Sequence, residues 1–277
     1  MPGAPWSACC WRSPGRARRG PCWLPEAGVA LHLLYGGTFD PVHLGHLAVA
    51  RAALAATAAA RLDFLPAADP PHRPVPGAGF EERSALLELA LGSEPPPAAG
   101  GWGLDRREGR RPGPSFTVDT LRDWRAEQGE SRPLGFVLGA DAFLGLPAWK
   151  DWRALFDLAH FVVACRPGHD LPVVDCRPGH DLPLPAPAPV PASVSESGAE
   201  ALPALRAAVA GRWARSPAEL AATPAGRVFR LELPARPESA TAVREALALG
   251  RPAEGLPAAV AAGITARGLY RAAHRGG

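Results

Sequence analysis

The stretch that most constrains this chain is Gly36-Gly37-Thr38-Phe39-Asp40-Pro41-Val42-His43-Leu44-Gly45-His46. An apolar run, Val29 to Tyr35, precedes it and reads as a buried strand. An alanine-rich run from Leu47 follows it and reads as a helix. A glycine-rich turn between strand and helix, with two histidines three residues apart, suits phosphate. The glycines let backbone approach a ligand, the helix N-terminus offers unpaired N–H groups, and imidazoles donate to phosphoryl oxygens. No Gly-Lys-Ser/Thr follows, so this is not a P-loop, and the Gly-x-Gly-x-x-Gly dinucleotide spacing is absent.

The rest of the chain alternates in the same way. Strand-like runs fall at 29–35, 61–65, 102–105, 134–138, 160–164 and 227–233, with helical runs at 46–60, 80–91, 117–128, 149–157 and 199–213. Such alternation predicts an α/β fold, a Rossmann-like parallel sheet with helices on both faces. Ligands in such sheets bind at the carboxyl ends of the strands, where both the motif and Gly139-Ala140-Asp141 fall.

Residues 1–28 show no periodicity and no apolar signal-peptide core. They are expected to be a disordered extension outside a domain spanning 29–277, with Val29 fitting an alternative start codon. No apolar run free of charge and proline is long enough to span a membrane. The chain holds one lysine, Lys150, one isoleucine and no asparagine, while Arg, Ala, Gly and Pro abound. This skew reads as avoidance of AT-rich codons, as in a GC-rich bacterium. It also weakens any nucleic-acid reading of the net charge of +3.

Cys165-Arg-Pro-Gly-His-Asp-Leu-Pro172 recurs as Cys176–Pro183. Cys165, His169, Cys176 and His180 are zinc-ligand types, but their spacing departs from the usual zinc arrangements, so no metal site is assigned. Five cysteines, an odd number, do not form a secreted disulfide framework, and a cytoplasmic location is expected.

The opening motif resembles the H-x-G-H signature of the nucleotidyltransferase superfamily, and its fuller form resembles that of the bacterial nicotinate-mononucleotide adenylyltransferases. Five further segments resemble that family in order: Pro70-Pro71-His72-Arg73-Pro74; Arg111 to Leu121, with Ser115-Phe116-Thr117; Gly139-Ala140-Asp141 followed by Trp149; Ser239-Ala240-Thr241-Ala242-Val243-Arg244; and Leu256 to Tyr270. The resemblance covers nearly everything from 31 to 271. It implies the nucleotidyltransferase fold and transfer of the adenylyl group of ATP to nicotinate mononucleotide, giving deamido-NAD and pyrophosphate. The substrate phosphate is itself the nucleophile, so the protein's work is positioning and charge stabilisation.

The resemblance assigns roles residue by residue. His43, His46 and Arg244 are the catalytic candidates. ATP is expected to meet Gly36, Gly37, Thr38, Phe39, His43, His46, Gly139, Asp141, Ser239, Thr241 and Arg244. Within that set, Asp141 would read the ribose hydroxyls, and Ser239 and Thr241 would join Arg244 in a second phosphate grip. The mononucleotide is expected to meet Arg73, Phe116, Thr117 and Trp149, with Trp149 stacked on the pyridine ring. Two positions depart from the pattern: the family's Tyr is Phe116, and its apolar residue before the serine is Glu238. Mg2+ is implied by the triphosphate and needs few protein ligands, so none is named beyond Asp40 as a weak candidate. No nucleic-acid or membrane partner is expected, and a homo-oligomer is left open. The competing readings are a nicotinamide-mononucleotide or phosphopantetheine adenylyltransferase on the same fold, or a nucleotide-binding protein without catalysis.

Overall fold

The structure is a computed structural model that describes residues 30–69, 75–166 and 197–271, with the backbone alone at 197–200. The extension 1–28, the Pro70–Pro74 loop with His72 and Arg73, and His169, Cys176 and His180 lie outside the described residues.

Among the described residues six strands form one sheet: β1 (His32–Gly37), β2 (Arg61–Pro66), β3 (Gly101–Leu104), β4 (Leu134–Gly139), β5 (His160–Cys165) and β6 (Val228–Glu232). Their order is β3-β2-β1-β4-β5-β6, and every neighbouring pair is parallel. Helices among the described residues are α1 (Leu44–Thr57), α2 (Phe80–Ser93), α3 (Thr117–Gln128), α4 (Ala140–Leu144), α5 (Leu155–Leu158), α6 (Ser197–Val209), α7 (Pro217–Ala221), α8 (Ala240–Ala248) and α9 (Ala258–Arg267).

Both faces of the sheet are covered, as the apolar strand runs require. Leu33, Tyr35, Leu62, Phe64, Val137 and Val162 point to one face, against α1, α2, α7 and α9. Leu34, Phe136, Leu138, Phe161 and Val163 point to the other, against α3, α4, α5 and α6. Alternate residues of single strands thus feed two cores. The order reverses between β1 and β4, opening a crevice at their carboxyl ends.

Some expected boundaries move. The helix expected at 149–157 is only α5. Asp151 sits in the left-handed region at φ 47, which breaks the helix after Trp149. Gly36 and Gly37, expected in the turn, are the last residues of β1. A Cβ at Gly36 would lie 2.3 Å from Phe136 Cζ, so this strand end admits only glycine beside that ring. Helices α4 and α7, five residues each, are too short to show a periodic stripe, and Gly263 interrupts that of α9.

Candidate active site

The motif crosses from β1 into α1 at one edge of the crevice. His43 is the N-cap of α1 and His46 its third residue. The two rings stack, with centroids 3.8 Å apart. A Cβ at Gly45 would come within 2.9 Å of the His43 ring, so the glycine between the histidines lets that ring fold over the first helical turn. The edge of Phe39 meets His46 at 5.0 Å, and Tyr35 lies behind both.

The His43 backbone N–H donates to His46 Nδ1 at 3.3 Å. Neutral His46 therefore carries its proton on Nε2, as a donor toward the crevice chemistry. His43 is 4% exposed, and its Nδ1 is buried without a protein partner. Burial pushes the His43 titration down to about 4; Glu238 pulls against this, while Arg166 and Arg236 add to it. Burial, then the charges of His43 and Arg166, hold His46 well below the usual histidine range. Both act as neutral hydrogen-bond donors near pH 7.

The second jaw comes from α8. Ser239 is its N-cap and makes no side-chain capping bond, which leaves its hydroxyl for another acceptor or donor. Arg244 Nη2 lies 3.4 Å from Thr241 Oγ1, one turn back, and Nη1 donates to the Asp40 carbonyl at 2.7 Å. The guanidinium is thus bound to the backbone of the histidine loop itself. The structure brings His43, His46, Thr241 and Arg244 to one place.

Asp40 is no metal ligand in this arrangement. Its buried carboxylate accepts from the Gly77 and Ala78 backbone N–H groups at 2.7 and 3.1 Å and from the Tyr270 hydroxyl at 2.7 Å. Among the described residues no cluster of three or more His, Cys, Asp or Glu could hold a metal ion.

Gly139 ends β4 and caps α4, with open space where a Cβ would stand; Asp141 follows, exposed, in the first turn. Across α3, Phe116 is the N-cap and Thr117 the first helical residue, so the first backbone N–H groups of α3 have no partner within the helix. Trp149 and Phe116 pack, half-buried, against the same core. Lys150 joins their segments through Asp119 at 2.9 Å and the Phe116 ring at 4.8 Å. A cavity of about 480 Å³ lies between the start of α2 and Gly109–Gly113, and none of the expected site residues is among its described lining.

Several supporting residues escaped the sequence reading. Arg83 is fully buried and donates to the carbonyls of Thr38 (2.5 Å), Ala67 (2.6 Å), Ala68 (3.4 Å) and Ala78 (3.1 Å). It fastens the loops after β1 and β2 together. Its one signal was a charged residue on the stripe shared with Leu86, Leu87 and Ala90. Arg166, just after β5 in the first Cys165-Arg-Pro-Gly copy, acts on both site histidines, a role the sequence reading did not give it.

The buried histidines make stability depend on pH. His43, His46 and His160 are all pushed down in the folded chain, mainly by burial. The unfolded chain therefore binds more protons between about pH 4 and 6.5, so stability is full above that window and falls as pH drops through it. For His43 alone the loss is about 3 kcal/mol, taking its folded value of about 4. Glu108, raised by burial, works in the opposite direction. Urea unfolding at pH 7, 5.5 and 4.5 is expected to show a declining free energy, with a shallower decline in His43→Gln. Equal slopes in the two proteins contradict the assignment.

The profile of the cytidylyltransferase-like family matches residues 34–246. A Stenotrophomonas maltophilia protein named probable nicotinate-nucleotide adenylyltransferase is 49% identical over 249 residues, covering 88% of this chain and 98% of that one. A Chromohalobacter salexigens protein of the same name is 40% identical over 247 residues, covering 88% and 98%. In structure, the chain is similar to Plasmodium falciparum nicotinic acid mononucleotide adenylyltransferase complexed with NaAD. That match has a TM-score of 0.58 at 13% identity and covers 87% of this chain and 97% of that one, a likeness of fold. Among the described residues no helix is long and apolar enough to cross a membrane. With a family profile across most of its length and close relatives over nearly all of theirs, the chain belongs to the cytidylyltransferase-like nucleotidyltransferases and, within them, to the nicotinate-nucleotide adenylyltransferases.

Proposed function

We infer that the crevice between β1 and β4 transfers the adenylyl group of ATP to nicotinate mononucleotide, making deamido-NAD for NAD biosynthesis. One observation carries the reading: Arg244 of α8 is bonded to Asp40, three residues before His43, so two phosphate-binding jaws share one piece of backbone. A mononucleotide phosphate oxygen bonds to the α-phosphorus, the bond from that phosphorus to the β-bridging oxygen breaks, and pyrophosphate leaves. His46 Nε2–H meets the α-phosphate as its charge shifts, while His43, Ser239, Thr241 and Arg244 hold the rest of the triphosphate.

Gly36, Gly37, Thr38 and Phe39 line the floor under ATP, and Gly139 and Asp141 receive its ribose. The N–H groups at Phe116 and Thr117, without a partner inside α3, suit the nicotinate carboxylate, and Trp149 on the same core suits the pyridine face. Arg73 is assigned to the mononucleotide phosphate from sequence alone. The divalent cation, taken here as Mg2+, comes with the triphosphate and keeps most of its waters. A cytoplasmic site of action fits a pathway whose substrates are ATP and a free mononucleotide.

The test is pyrophosphate release from ATP with nicotinate mononucleotide, nicotinamide mononucleotide and phosphopantetheine in parallel. Turnover is expected with the nicotinate compound, more slowly or not at all with its amide, and not with phosphopantetheine. Failure with both pyridine nucleotides rejects the reading.

A further inference from the structure

Beside the phosphate site stands an ion pair whose acid, Glu238, takes the place of the apolar residue expected before Ser239. Arg236 grips the Glu238 carboxylate as a fork, Nε to Oε2 at 3.1 Å and Nη2 to Oε1 at 2.6 Å. The two partners are unequal. The Glu238 side chain is 10% exposed and that of Arg236 40%.

Glu238 is held by packing as well as by charge. A Cβ at Gly255 would come within 2.6 Å of Glu238 Cγ, and one at Gly45 within 3.4 Å of Glu238 Cβ. The Gly255 carbonyl in turn accepts from the Leu44 N–H at 2.8 Å, at the first residue of α1. The stem of Glu238 is thus wedged against the turn that carries His43 and His46, directly before the N-cap Ser239. Both Arg236 and Glu238 lie close enough to act on the His43 charge.

A carboxylate fixed beside a triphosphate site repels its ligand, and a neighbouring guanidinium attracts it. We propose that Arg236 and Glu238 set this chain's affinity for the triphosphate. Glu238 holds the Arg236 guanidinium back from the phosphates, and Arg236 screens the carboxylate from the incoming polyanion. Glu238 is thereby a built-in counterweight that keeps nucleotide binding loose, and Arg236 is a phosphate-site cation in reserve. The pair acts through the ligand's charge and does not carry the chemistry.

This rests on the adenylyl-transfer reading, and its test separates the two. Binding of a non-hydrolysable ATP analogue is measured by calorimetry, and the KM for ATP by steady-state assay, in the full chain and in E238Q, R236Q and the double variant. E238Q is expected to bind ATP about threefold more tightly, R236Q about threefold more weakly, and the double variant near the parent, as for charges at the rim of a site. The single-variant differences shrink in 0.5 M salt, at roughly a third of the screening length of dilute buffer. Circular dichroism and melting temperature near the parent's confirm that each variant is folded. Weaker binding in both single variants, or no change in either, overturns the proposal and leaves the pair a plain loop clasp. Failure of the parent itself to bind ATP overturns the adenylyl-transfer reading instead.

Discussion

His46→Ala is expected to lower kcat by about two to three orders of magnitude, the usual cost of removing one preorganised donor from a developing negative charge. The Nδ1 of His46 is engaged by the His43 backbone, which directs its only proton outward from Nε2. The Phe39 edge and the stacked His43 ring hold that donor in place before substrate arrives. Alanine keeps the helix and removes the donor. Because the group meets the α-phosphate chiefly as charge moves toward pyrophosphate, KM for ATP should change far less than kcat. His46→Gln, which can place an N–H near the Nε2 position, should recover part of the loss. Turnover of the alanine variant within tenfold of the parent removes His46 from the transition state.

Arg83→Met is expected to destabilise the chain by about 3–5 kcal/mol, the range for breaking a buried charged network. The guanidinium is fully buried, and among the described residues every hydrogen bond it makes is to a carbonyl: Thr38, Ala67, Ala68 and Ala78. Methionine fills the volume but leaves those carbonyls without its donors in a buried site. Thr38 precedes Phe39, whose φ of 50 is costly unless its surroundings hold it. Loss of Arg83 should therefore loosen the turn that aims the histidines, and ATP-analogue affinity should fall together with stability. Lysine should rescue little, since one ammonium cannot span four carbonyls in two loops. An unfolding free energy within about 1 kcal/mol of the parent's, by urea titration, argues that the carbonyls find other partners.

The sheet was legible because buried parallel strands read as short apolar runs. All six runs, from 29–35 to 227–233, fall on strands. The helix expected at 149–157 was not legible as turns, because the left-handed residue there is Asp151 and not a glycine. At the site, the residues that face the crevice were readable from motif chemistry. The arms that hold them were not. Arg83, Arg166 and Arg236 sit in a chain so rich in arginine that no single one stands out. Asp40 shows the limit most plainly. In sequence it was a carboxylate beside a triphosphate motif, open to a metal, and only the fold reveals that three donors already occupy it.

The Tyr270–Asp40 hydrogen bond spans 230 residues of chain. Every strand pair in the sheet is parallel, so none can form as a local hairpin while the chain is being made. Asp40 of the histidine loop leaves the ribosome 204 residues before Arg244 and 230 before the tyrosine that pins it. A growing chain thus exposes a phosphate-binding turn that lacks its opposing jaw. Competence waits for those distant partners, and a molecule cut short between them has the first half of the grip without the means to close it.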